Sequence, residues 1–492
     1  MAQATVYLPR REPADARPLI PVLVTGVAVI FALLLAAGSS VALVAVLSAL
    51  AVIVALVWPR AGLHMIIAAA VFADTRITDR NQPVLADAFT SFQGMSITPF
   101  EVLIIVTFAG VVARLLFDEQ ERFETGGLMM PLGAFLAAVA IGAGYGLAQG
   151  ADMFAWRAEV RGFLYLPALY LIVVHTVRTP RHLAELFWAF AIVVNLASIE
   201  YLNRYLKYIR PGFALDSGVD GAFAHEDALL CAAAIVLLFA RITWTRNLFA
   251  EWPAFALMAL PMAALLVMKR RAGIVALDGG LILLCVVLLR DNVKLFLCVV
   301  PVAAVMVGVL LAVTWNEPGG KGQFARSFRT VTGYGETSAR DQASDQYRDN
   351  ETANVRLNVH NHPLTGLGFG VPYPKPIPMI DLSGHWPLWD YTSHNSVMWV
   401  WMKGGILAFM TMLALWALAT QRAVMTCTQL RAGPLKAAAF SMAAFILMFV
   451  LFSWVDVGLA AARTVAFFGV TLGLIAAIAG VAAREQQQEA RS

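Results

Sequence analysis

The sequence predicts an all-α integral membrane protein of about 12–14 transmembrane helices with one large external loop. Three observations carry this. Of 492 residues, 60% are hydrophobic and only 14% charged, where a soluble domain carries about a quarter charged residues. Apolar stretches able to cross about 30 Å of hydrocarbon, roughly 17–25 residues each, recur almost from end to end. A single long hydrophilic segment, 315–392, interrupts them.

In chain order, residues 1–17 form a polar, arginine-bearing tail. A full-length apolar run follows directly, without a small-residue cleavage site, so the first span is expected to stay as an anchor. Within 18–314, about eleven spans are expected, centred near Ala28, Val46, Ile67, Ile105, Leu136, Leu166, Ala191, Ala233, Leu260, Leu281 and Val302. The third, "AGLHMIIAAAVFA", is the shortest. After the loop, 393–483 holds about three more, near Ala408, Phe445 and Ile475, and 484–492 is a second tail. Cys231, Cys285, Cys298 and Cys427 stand singly in or near apolar segments without CxxC spacing, and read as packing residues.

Charge sets the expected orientation. With Arg10, Arg11 and Arg17 in the cytoplasm, the short connections bearing Arg114 and Arg122, Arg178 and Arg181, Arg241 and Arg246, Arg290 and Lys294, and Arg422, Arg431 and Lys436 all fall inside. Segment 315–392 then lies outside, and both tails inside. Exceptions to the positive-inside tendency gather on the outer side: Arg157 and Arg161, then Arg204, Lys207 and Arg210, then Lys269, Arg270 and Arg271. Arg204, Lys207 and Arg210 can snorkel to headgroups. The Lys269–Arg271 run repels itself unless anions neutralise it, which makes it either an anion site or part of a structural ion pair.

"RLNVHNHPLTGLGFG" offers two further chemistries. Its glycines, at 366, 368 and 370, follow a polar helical segment rather than a strand and lead into "VPYPKPIP", so a dinucleotide loop is disfavoured. Pro363 is expected to stop a helix, and the glycines to permit tight turns or close backbone approach while shaping a rim. His360, His362, His385 and His394 lack HExxH spacing or a cysteine partner, so no metal site is expected.

Upstream, "SARDQASDQYRDNETANVRLNVHNH" reads as a helix from about Ser338 to His360, too polar to be a span. Helical spacing puts Arg348, Glu351, Val355, Asn358 and His362 on one face, either solvated or docked over an outward cavity. In "DYTSHNSVMWVWMKGGILAF", His394 and Asn395 stand at the entrance of the next span, where a histidine next to Ser393 can also be merely structural. Trp386 and Trp389 suit stacking on sugar faces or interfacial anchoring.

The order of these motifs resembles the O-antigen ligase and O-antigen polymerase superfamily, membrane glycosyltransferases of the GT-C type. The likeness rests on "SITPFEVLII", "EVRGFLYLPALYLIVV", the arginine step at 270–272, the external loop, "PLTGLGFG" and "SHNSVMWVWMKGGILAF". The resemblance implies a GT-C-like bundle in a bacterial cytoplasmic membrane with its active site on the periplasmic face. The implied donor is a saccharide on undecaprenyl pyrophosphate, a substrate rather than a cofactor, and the acceptor a hydroxyl of a glycan or lipid. No cofactor, obligatory metal or nucleic-acid partner is implied. By motif, Arg271, Arg348 and Arg161 are carried over as pyrophosphate ligands, with Arg270 competing with Arg271. His394 is carried over as the group that orients or deprotonates the acceptor, and Glu351 as a second base or partner. Arg356 competes with Arg348; with Trp386, Trp389 and Asn395 it is a candidate contact to acceptor or sugar. Fixed guanidiniums suit a leaving pyrophosphate, and imidazole titrates near working pH. A repeat-unit polymerase is the alternative within the superfamily, and a lipid-linked saccharide flippase the alternative outside it. A transporter should hold its ionisable residues near the midplane of broken helices, whereas here they gather toward one face.

Overall fold

The computed structural model describes residues 40–72, 97–209, 224–245, 251–268, 270–317, 322, 325, 328–329, 339–384 and 386–489. Its helices are α1 (Ser40–Val57), α2 (Pro59–Phe72), α3 (Pro99–Phe117), α4 (Met129–Ala148), α5 (Met153–Thr176), α6 (Pro180–Arg204), α7 (His225–Thr243), α8 (Trp252–Met268), α9 (Arg271–Asp291), α10 (Val293–Thr314), α11 (Ala339–Asn361), α12 (Ser396–Gln429), α13 (Pro434–Val455) and α14 (Ala462–Glu489). The protein is an all-α integral membrane protein, with no strand among the described residues. Among the described residues, eight helices, α3 to α6, α9 and α12 to α14, are long and apolar enough to cross a membrane. The expected short third span is α2, of 14 residues. Every expected span centre except Ala28 falls inside a helix. Ala28, Arg10, Arg11, Arg17, Arg210, Arg246, Lys269 and His385 lie outside the described residues.

Local signals explain several boundaries. In "SITPFEVLII", Thr98 Oγ1 accepts from the Glu101 amide (3.2 Å) and Glu101 Oε2 accepts from the Thr98 amide (2.7 Å), closing a capping box ahead of α3. Pro180 and Pro434 start α6 and α13, where a missing amide costs nothing. Between helices the bundle relies on small residues that let backbones approach, such as Gly273 of α9 against Ala228 of α7.

Contacts sort the connections into two ends. At one, Arg178 pairs with Glu121 (2.5 Å), Arg114 donates to the Val57 carbonyl (2.8 Å) and Lys436 pairs with Asp291 (2.6 Å). Helix α11 and residues 362–384 and 386–395 cover the other end, together with the starts of α7, α9, α12 and α14.

The glycine-rich turn corrects one expectation: it is a wedge rather than a rim. Helix α12 breaks at Gly405 (φ 70°, ψ −173°), in the left-handed region that favours glycine. That break frees the Met402 and Lys403 carbonyls, which accept from the amides of Leu367 (2.7 Å) and Gly368 (3.0 Å). In return, the Ile406 amide donates to the carbonyls of Pro363 (3.1 Å) and Leu364 (3.2 Å). Gly368 (φ 91°) sits so close to the Gly146 backbone of α4 that a Cβ would collide with it. Burying an irregular backbone inside a membrane bundle requires that its polar groups be satisfied, and the broken helix does this.

Beneath the wedge lies a pair that sequence reading missed. Lys403 Nζ and Glu159 Oε1 of α5 are 3.3 Å apart and fully buried. Lys403 also donates to the Val371 carbonyl, Gly370 donates its amide to Glu159, and Trp399 Nε1 donates to Glu159 Oε1 (3.3 Å). The pair therefore holds both ends of the Gly370–Val371 step. Its sequence signal is uneven: Lys403 is a lone charge inside an apolar run, whereas Glu159 sits between Arg157 and Arg161 at the start of α5.

Candidate active site

The helix expected from about Ser338 to His360 is α11, and it is docked rather than solvated. Its face carrying Glu351, Asn354, Val355 and Asn358 is buried. Pro363 follows its last residue, and His362 lies beyond it, exposed. The proline-rich segment is strapped along it. Asn354 donates to the Ile377 carbonyl (2.9 Å) and accepts from its amide (2.8 Å), and Asn358 donates to the Pro374 carbonyl (2.8 Å). Each asparagine thus takes the place of a neighbouring strand for a chain that has none.

Docking brings Glu351, 1% exposed, to the entrance of α12. Glu351 Oε2 accepts from the His394 amide (2.8 Å) and from Ser393 Oγ (3.2 Å), and lies 3.1 Å from His394 Nδ1. A carboxylate on Nδ1 fixes the tautomer and the ring plane and leaves Nε2 as the nitrogen open to another partner. The imidazole sits in an aromatic nest. Tyr347 meets it edge-on at 5.9 Å between centroids, and Trp386 does so at 5.7 Å. Trp389 Nε1 donates to the Tyr347 hydroxyl (2.8 Å). Lys375, paired with Asp390 (2.6 Å), lies 3.6 Å from the centre of the Trp389 ring. Burial and the charge of Glu351 push the Tyr347 hydroxyl above its ordinary range, so it stays protonated. Asn395 is the N-cap of α12, accepting from the Met398 amide (3.0 Å). Its oxygen is committed to the helix.

A second imidazole faces the first. His225, first residue of α7, lies 6.0 Å from His394 between ring centroids, and its Nδ1 is 2.6 Å from Asp456 Oδ2. Asp456 follows α13 and is held by its surroundings. Its Oδ1 accepts from the Val457 amide (2.8 Å), and Ser396 Oγ donates to its carbonyl (3.0 Å). Arg348 Nη2 stands 3.9 Å from Asp456 Oδ2. Burial alone would raise the Asp456 carboxyl, but His225, Arg348 and His394 together pull it well below the usual carboxylate range. It is ionised.

The arginines divide clearly. Arg271, at the start of α9, makes a bidentate pair with Asp345 of α11 (2.6 and 2.9 Å). Arg270 is the residue before that helix, in extended conformation. Of the two competing arginines on α11, Arg348 faces the site while Arg356 is exposed on the far side. Arg161, half-buried on α5, has an Nε without a hydrogen-bond partner, and among the described residues no hydrogen bond or ion pair joins it to Glu351, His394 or Asp456. Arg271, Arg348, Glu351, His394, Trp386 and Trp389 are thus gathered on one end of the bundle; Arg356, on the same helix as Arg348, is exposed there, and Arg161 is not joined to the cluster by a hydrogen bond or ion pair among the described residues. His225, Asp456 and Tyr347 were not singled out from sequence. Their signal was weak: "AHEDALL" and "SWVDVG" place acids and a histidine at span edges, where solvated caps are ordinary.

Residues 253–413 match the family model described as O-antigen ligase, which supports the O-antigen ligase/polymerase superfamily. The matched segment contains Arg271, Arg348, Glu351 and His394 and ends before Asp456. None of the curated proteins compared matches the chain.

Proposed function

From the O-antigen ligase match, which indicates a glycosyltransferase-like membrane enzyme, we propose a specific reaction. The protein transfers a saccharide from undecaprenyl pyrophosphate to an acceptor hydroxyl, on the periplasmic face of a bacterial cytoplasmic membrane and without a metal. The observation that carries this reading is the buried Glu351 carboxylate on His394 Nδ1, beside Arg348 and beneath Trp386. His394 Nε2 accepts the acceptor proton as the acceptor oxygen attacks the anomeric carbon. Glu351 keeps that imidazole oriented and stabilises the imidazolium that forms. Arg348 and Arg271 offset charge on the departing pyrophosphate, with Asp345 holding Arg271 until substrate competes for it. Trp386 and Trp389 offer stacking faces for sugar rings. In this reading 1–17 and 484–492 are cytoplasmic tails, 18–314 and 393–483 the membrane bundle, and 315–392 the periplasmic loop.

Purified protein incubated with lipid-linked repeat units tests this. Saccharide moved to an acceptor with release of undecaprenyl pyrophosphate supports it, and a single adduct marks a ligase. A ladder of products would instead mark a repeat-unit polymerase. Substrate carried across vesicles without any bond change would point to a flippase and sink the reading.

A further inference from the structure

We infer that His225 is a second functional imidazole of this site: as an imidazolium braced by Asp456, it donates to the phosphate oxygen of the departing lipid pyrophosphate while His394 takes the acceptor proton. This deepens the proposed function and rests on it. The geometry carries it. Two imidazoles 6.0 Å apart each present Nδ1 to a buried carboxylate, but the two pairs differ. His394 shares Glu351 with its own backbone amide and Ser393 at 3.1 Å, whereas His225 lies 2.6 Å from Asp456. Two imidazoliums this close would repel, so one proton is favoured on the pair; the two acids are equally buried, and the shorter contact, to the acid with no second side chain donating to it at that distance, takes it.

The surroundings agree with that division. Among the described residues of the elements packed around α7, Asp456 and His394 face His225, and Arg348 stands against Asp456. Arg463 of α14 is engaged by Asp227 (2.7 Å) and Arg271 of α9 by Asp345, while Glu226 follows on the same helix. The positive end of α7 opposes an imidazolium at its first residue, so a carboxylate at 2.6 Å is what keeps the proton there. The carboxylate of Asp456 is held ionised well below its usual range, as this requires.

The step balances. The acceptor oxygen forms its bond to the anomeric carbon, the bond from that carbon to the phosphate oxygen breaks, and its electron pair stays on the pyrophosphate. The acceptor proton goes to His394 and the His225 proton to the leaving phosphate, after which solvent resets both.

Binding of farnesyl pyrophosphate, a soluble isoprenyl pyrophosphate, to the full chain in detergent tests this apart from turnover. The wild type is expected to bind about tenfold tighter near pH 5.5 than near pH 8.5, as an added cation facing a polyanion requires. Titration of the probe itself is common to all variants and cancels between them. His225→Gln should lose the pH response and bind as the wild type does at the alkaline end. His225→Lys, which keeps a cation, should bind tightly at both pH values, and His394→Gln should keep the wild-type response. A pH response undiminished in both His225 variants would overturn the inference. Failure of the wild type to bind the probe at any pH would overturn the proposed function, and this inference with it.

Discussion

In the proposed reaction His394 depends on a neighbour 43 residues away in sequence, because the Glu351 carboxylate occupies one ring nitrogen and leaves the other to act. Replacing His394 with Ala is therefore expected to reduce transfer by about 10²–10⁴-fold, as loss of a general base does, and Glu351→Gln by a similar order. Arg348→Ala and Arg271→Ala should each lose most turnover, while Arg356→Ala, exposed on the far side of α11, should stay within about twofold. Steady-state saccharide transfer with purified variants checks all of these. A different measurement applies to Asp456. Its carboxyl is depressed in the folded protein, so its stabilising effect is complete above the ordinary carboxylate range and is lost only as pH falls through the lower, folded value. The melting-temperature difference between wild type and Asp456→Asn is accordingly expected to be largest near about pH 5–6, to shrink below about pH 4 as the carboxyl takes up a proton, and to shrink again toward about pH 8.5 as His225 loses its own.

Among the elements, α12 and the turn that wedges into it stand or fall together. The break at Gly405 exposes carbonyls that only the Leu367–Gly368 step reaches, and Gly368 admits no side chain against α4. Gly368→Ala, which adds both a collision and an unfavourable φ, should destabilise the fold by about 2–4 kcal/mol in detergent unfolding. The Glu159–Lys403 pair under the wedge behaves differently. Lys403→Met alone leaves a buried carboxylate unpaired and should cost about 3–5 kcal/mol, whereas Lys403→Met with Glu159→Gln should recover much of that loss. Equal losses in the single and double variants would mean the two charges do not support each other. Helix α11 is an element of another kind: it is polar enough to be legible as a non-spanning helix, yet nothing in its own residues says which side meets the bundle. The asparagines at 354 and 358 decide that by clasping the proline-rich strap.

Across the whole molecule, the connections rich in arginine lie at one end and the loop with its histidines at the other. Single cysteines through 339–384 and 386–394 should label from outside the cell whatever the substrate state. Labelling only from the cytoplasm would overturn the periplasmic placement of the site. Chelators are expected to leave transfer unchanged, and loss of activity restored by a divalent cation would refute metal independence. How much of this was legible in the chain follows from what each signal depends on. Apolar run length depends only on the residues of that run, so the membrane class, the span centres and the polar loop helix could be read directly. The resemblance to the O-antigen ligase superfamily likewise pointed to Arg271 or Arg270, Arg348 or Arg356, Glu351 and His394. The choice of Arg348 over Arg356 required the rotation of α11 about its axis, which packing sets. The His225–Asp456 pair spans 231 residues, and the Glu159–Lys403 pair joins α5 to α12; each charge alone looks like a helix cap or an isolated polar residue. Hydrophobic pattern is a property of one segment, so the sequence by itself determined the helices. Distances between charges on different segments arise only when those segments pack, so the tertiary structure alone decided the site.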